Sequence, residues 1–110
     1  MKPINFKQAP SPSFVVDERL LIKNLELLKS IQDQTNCDIL LALKGFSMWS
    51  TFPIARNYLK GITSSSLFEA RLGFEEFGKE VHAYALPMPT MKLMSIYNTL
   101  TILYLTHLTN

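Results

Sequence analysis

Between Glu18 and Ile31 the apolar positions return every third or fourth residue. Leu21, Leu25 and Leu28 form one stripe, and Leu20, Leu27 and Ile31 lie beside it. That period predicts an amphipathic helix, and Asp17 ahead of it offers an N-cap oxygen. Upstream, "FVVD" (Phe14 to Asp17) follows two prolines and predicts a short strand. After "TNCD" the pattern changes: "ILLAL" is apolar without alternation, as in a parallel strand buried on both faces. "FPIARNYL" reads as a helical segment with Pro53 near its start and Gly61 as its C-terminal stop. "GITSS" predicts a brief strand. "SLFE" is a capping-box pattern, in which Ser66 bonds the amide of Glu69 and Glu69 reaches back to Ser66. The helix "LFEARLGFEEF" then runs to a second stop at Gly78, and "EVHAYA" is the next strand.

Strand and helix therefore alternate, with connections long enough to return each strand parallel to the last. Two architectures satisfy this α/β pattern. One is an open doubly wound sheet. The other is the beginning of a (β/α)8 barrel, of which this chain holds too few strands to close the ring.

Composition narrows the function. The chain has 110 residues and a formal net charge of +2, with 47% hydrophobic residues. It is globular in character, and it has no basic cluster to act as a nucleic-acid footprint. Cys37 is the only cysteine, which excludes an intrachain disulfide and suits a reducing cytoplasm. The first residues, "MKPINFKQAPSPSF", have no apolar core of a secretory signal.

The character changes after residue 85. All nine acidic residues lie before residue 86, and from Leu86 onward Lys92 is the single charged residue. This tail reads as a buried helix or strand pair. As a membrane span it is weak, because Ser95, Asn98 and several threonines interrupt a run already short of the ~20 apolar residues needed.

Lys44 is the candidate for chemistry. It follows the apolar run directly, and Gly45 comes next. In parallel α/β folds, ligands bind at the C-terminal ends of the strands. An amine held there between apolar walls loses its proton more easily and attacks carbonyls. Gly45 leaves space for a flat ligand, or lets the chain turn. The alternative is a lysine that merely snorkels into water.

The segments "PSPSFVVDE", "ILLALKGFS" and "TSSSLFEARLG", in this order, resemble the fold-type III pyridoxal-phosphate decarboxylases, which share the alanine-racemase-like barrel. Residues 37–85, with "KGFSMW" and "SSLFEARLG", look most like the carboxynorspermidine/carboxyspermidine decarboxylases. One departure is Gly45, where that family usually has Ala. The resemblance implies that residues 1–85 are the N-terminal segment of a cofactor-binding (β/α)8 barrel. Lys44 would hold pyridoxal 5'-phosphate as a Schiff base. The substrate would be carboxynorspermidine or carboxyspermidine, decarboxylated to norspermidine or spermidine. Ser66 and Glu69 are helix-cap residues that could also stand behind the cofactor. The resemblance also implies a homodimer for the full-length protein, in the cytoplasm, with neither nucleic acid nor membrane among its partners. Its phosphate-binding and substrate-reading residues would lie beyond residue 85.

Other residues divide between packing and function. Phe46 and Trp49 either wall the cofactor mouth or belong to the core. Arg71 reads as solvated or ion-paired, His82 as a packing residue in mid-strand, and Cys37 as inert.

Residues 86–110 also admit a shifted reading frame. The family-like continuation APAYADDEIDEHLQHADHIVFNSLNQ can be encoded so that loss of one cytosine from its second codon gives Ala85 to Asn110 of this chain. Such a chain would be an inactive, poorly soluble piece of the barrel with an unpaired sheet edge. Two further readings stand beside the polyamine decarboxylase. One is a small non-catalytic binding module. The other is a different fold-type III enzyme, such as diaminopimelate decarboxylase or alanine racemase.

Overall fold

The computed structural model describes residues 4–85 and 102–105. Its sheet has the strands β1 (Leu40–Ala42), β2 (Gly61–Ser64), β3 (Glu80–Ala85) and β4 (Ile102–Leu105). They lie in the order β1-β2-β3-β4, and every neighbouring pair is parallel. The helices are α1 (Glu18–Thr35), α2 (Phe52–Ala55) and α3 (Leu67–Leu72), the last continued by a π-helical turn over Gly73–Phe77.

Strand order in space follows strand order in the chain, so every described crossover turns the same way. Right-handed crossovers that never reverse direction place all their helices on one face of the sheet. One hydrophobic cluster confirms it: Leu25 of α1, Phe52 of α2, Ile62 of β2, Phe77 of the π-helical turn and Val81 of β3 are buried together. Phe52 and Phe77 meet edge to face, with centroids 5.4 Å apart. A doubly wound sheet would reverse direction and carry helices on both faces. The arrangement is therefore an incomplete barrel wall.

The N-caps are as the sequence predicts. Asp17 accepts the Arg19 amide at 3.0 Å, and Ser66 accepts the Glu69 amide at 3.2 Å. Glu69 returns the bond one residue further back than expected, accepting the amide of Ser65 at 2.6 Å. Ser66→Ala should cost about 1 kcal/mol of stability, the usual worth of an N-cap oxygen. A fall in the urea midpoint with an unchanged slope would register it. Gly78, in the left-handed region at φ 71, ends the π-helical turn as a C-terminal stop should.

Three expectations change. "FVVD" forms no strand; Phe14 is 99% exposed, and no described strand pairs with the segment. β1 is half-buried rather than buried on both faces, because the described helices cover one side of it. Gly61 does not stop a helix. α2 ends at Ala55, and Gly61 is the first residue of β2. A Cβ on Gly61 would lie 2.2 Å from the Glu80 carbonyl oxygen on the paired strand. The glycine answers to that close approach. Gly73 answers to a similar one, since a Cβ there would lie 2.4 Å from Ile62 Cγ1.

The outer edge of β3, expected to be unpaired, is covered by β4. The shifted-frame reading of residues 86–110 lies outside the described residues, apart from this one strand.

Candidate functional site

Burial alternates along the strands and sorts their side chains by face. Ile62, Val81 and Ala83 are buried against the helices. Thr63, Glu80, His82 and Tyr84 fall between them and so face the opposite side. Just past β1, Leu43 is 2% exposed and packs with the core. Lys44 follows it.

Lys44 stands in a turn just past β1. The Leu43 amide still bonds to the Thr63 carbonyl at 3.2 Å, so sheet geometry persists to within one residue of the lysine. The chain then curls, with the Gly45 and Phe46 amides both bonding to the Ala42 carbonyl, at 3.0 and 3.1 Å. Lys44 is exposed, and the described residues build no apolar walls around it. A Cβ on Gly45 would meet only the Ala42 carbonyl oxygen, at an ordinary 3.5 Å. The turn does not need glycine, and alanine would fit there.

The neighbouring strand exit carries Ser64, Ser65 and Ser66. Ser64, 1% exposed, bonds to the His82 carbonyl at 3.4 Å. The hydroxyl of Ser66 and the carboxylate of Glu69 are both engaged in the cap. That cap fixes the loop at the strand exit next to the one that carries Lys44. Trp49 is 62% exposed and lies outside the core; Phe46 is half-buried. Arg71 pairs with Glu75 at 3.2 Å on the helix surface, as its sequence reading anticipated. Cys37 is exposed.

His82 is the residue whose surroundings the sequence did not reveal. It sits on the open face beside Glu80, with His82 Nε2 3.0 Å from Glu80 Oε2. Lys60 approaches the same carboxylate at 3.6 Å. The hydrogen bond to His82, more than the Lys60 charge, holds the Glu80 carboxyl below its ordinary pKa. Strand alternation from Val81 could have found this face, had the phase been known. A separate polar cleft of about 370 Å³ lies at the other end of the strands, lined by Lys29, Asp33, Asp38, Lys60 and Lys79 among others. Among the described residues, no helix is long and apolar enough to cross a membrane.

No family model matches the chain. Individual proteins do. It is 51% identical over 76 residues to carboxyaminopropylagmatine decarboxylase from Synechocystis sp., a match covering 69% of this chain and 20% of that protein. It is 40% identical over 75 residues to carboxynorspermidine/carboxyspermidine decarboxylase from Herminiimonas arsenicoxydans, covering 68% and 20% respectively. Among solved structures, carboxynorspermidine decarboxylase from Campylobacter jejuni, in complex with norspermidine, superposes with a TM-score of 0.86 at 32% identity. That match covers 90% of this chain and 27% of the solved one. The chain thus spans about a fifth of the length of the curated relatives it matches. Over that span its sequence and its fold are similar to one segment of these decarboxylases.

Proposed function

We propose that the chain is the N-terminal barrel segment of a pyridoxal-phosphate-dependent decarboxylase of carboxylated polyamines, with Lys44 as the residue that binds the cofactor. The observation that carries this is the position of Lys44: an exposed primary amine at the C-terminal exit of a parallel strand, inside "KGFSMW". The fit to the cofactor rests on that donor. An aldehyde can reach the amine, and Gly45 sets no side chain over it. When bound, pyridoxal phosphate supplies the electron sink into which a carboxylate's bonding pair is released.

The chain's own residues hold and orient. Lys44 would hold the group through its amine. The β1–β2 pairing fixes where that tether begins, and the Ser66–Glu69 cap stiffens the adjacent strand exit. Carboxynorspermidine and carboxyspermidine are the proposed substrates. The higher identity to the Synechocystis protein favours a second reading within the same class, carboxyaminopropylagmatine.

We also propose that residues 86–110 arise from a shifted frame. Acidic residues vanish after residue 85, and one lost cytosine converts a family-like continuation into this tail. Sequencing the DNA around codon 86 decides the matter. A long alternative frame encoding an acidic helix supports the proposal, and its absence removes it. With the frame restored, carbon dioxide release from the three candidate substrates should depend on Lys44. The 110-residue chain should release none.

A further inference from the structure

The strands begin on a row of charges, at the end of the sheet away from Lys44. Asp38 lies two residues ahead of β1, Lys60 lies one residue ahead of β2, and Glu80 opens β3. Lys60 Nζ stands 3.9 Å from Asp38 Oδ2 and 3.6 Å from Glu80 Oε1. The other Glu80 oxygen, Oε2, lies 3.0 Å from His82 Nε2. One carboxylate is thus held from two sides, by the start of β2 and by its own strand. Lys79, next to Glu80 in the chain, donates instead to the Leu59 carbonyl at 3.0 Å.

Gly61 shapes this contact. A Cβ there would lie 2.9 Å from Glu80 Cβ, so the glycine is what lets Glu80 come this close to β2. Shielding ranks the arms. The Lys60 and Asp38 side chains are 46% and 67% exposed, and ion pairs so well wetted contribute little. The His82 side chain is 13% exposed, so its bond to Glu80 is the better protected arm. The lowered pKa of the Glu80 carboxyl agrees, with the His82 bond as its largest cause and the Lys60 charge as a smaller one.

We propose that Glu80 is the acid-sensitive centre of a clasp that ties the starts of β2 and β3 together, with Asp38 extending it toward β1 through Lys60. Protonation opens the clasp, because a neutral carboxyl neither attracts Lys60 nor accepts a charge-assisted bond from His82. The sign follows from the carboxyl. Held below its ordinary value, it adds stability that is fully present above that value and is lost as pH falls through the folded one. The clasp is independent of the assignment of Lys44 as the cofactor amine.

The test compares wild type with Glu80→Gln in the 110-residue chain, by urea unfolding and by amide hydrogen exchange. At about pH 7 the variant's urea midpoint should fall below that of wild type, and the gap should narrow as pH is lowered toward about 3. The clasp sits at one end of the sheet, so its loss should be local. The Lys60 amide, bonded to the Ile39 carbonyl at 3.1 Å, should exchange at least about threefold faster in the variant. The Leu43 amide at the other end, bonded to the Thr63 carbonyl at 3.2 Å, should not change. The Glu80 carboxyl followed by NMR should titrate below the ordinary carboxylate range in wild type, and His82→Gln should raise it more than Lys60→Met does. No midpoint gap at about pH 7, or a gap that is the same at every pH, overturns the clasp. Equal acceleration of both amides overturns it too. If Glu80→Gln does not fold, by far-ultraviolet dichroism, the titration decides alone, and an ordinary Glu80 value in wild type overturns the proposal.

Discussion

Lys44→Ala is expected to abolish covalent capture of pyridoxal 5'-phosphate and to leave the fold intact. The two halves of this result have separate causes. Capture needs a primary amine that can lose its proton and attack an aldehyde. Alanine has none. The fold is spared because Lys44 is exposed and lies in a turn held by backbone bonds to Ala42. A surface change of that kind moves stability by no more than about 0.5 kcal/mol. Lys44→Arg sharpens the result. Its guanidinium keeps the positive charge but stays protonated, so it forms no imine. If charge alone recruited the cofactor phosphate, arginine would preserve binding. The expected outcome is loss of the trapped label in both variants, measured by mass spectrometry after borohydride reduction, with unchanged thermal melts.

The second large effect is structural. Gly61→Ala should destabilise the chain by about 1–3 kcal/mol, toward the upper end of the usual cost of overpacking. The new Cβ would stand 2.2 Å from the Glu80 carbonyl oxygen and 2.9 Å from its carbonyl carbon, and backbone cannot rotate away as a flexible side chain can. Relief requires β2 and β3 to separate where Gly61 pairs with Glu80. That movement would also displace the carboxylate that holds His82. Gly45→Ala is the matched control. It removes a glycine in the same half of the fold but meets only an ordinary 3.5 Å contact, so its stability should stay within about 0.5 kcal/mol of wild type. Urea unfolding of the two variants separates these cases. Equal midpoints would show that Gly61 is not needed for strand approach.

Much of this was legible in the chain because its causes are local. The α1 period, the Asp17 and Ser66 caps and the Gly78 stop depend on neighbours within a few residues, and each appears as read. The parallel order of the strands followed from connection length. Gly61 was misread because a glycine after an apolar helical pattern looks the same whether it ends a helix or admits a neighbouring strand. The deciding atom belongs to Glu80, far along the sequence. "FVVD" has strand-forming residues, but a strand exists only through its partner, and no described strand supplies one. His82 was read as packing because it sits in mid-strand. Whether a mid-strand residue meets the helices or the open face depends on the phase of alternation, which a single tightly buried neighbour, Val81, sets in the folded chain.

The position of Lys44 at a strand exit was readable. Its exposure is what the alternative reading, a lysine that snorkels into water, anticipated; the apolar walls are not built by the described residues. The described residues provide the lysine, the strand that leads into it and the capped loop at the neighbouring strand exit.

The account turns on Lys44, and one measurement addresses it most directly. The chain is incubated with pyridoxal 5'-phosphate, reduced with borohydride, digested, and the pyridoxyl label is mapped by mass. The account predicts label concentrated on the peptide that contains Lys44. Label spread evenly over exposed lysines such as Lys7, Lys29 and Lys79, with none favoured at Lys44, would contradict it.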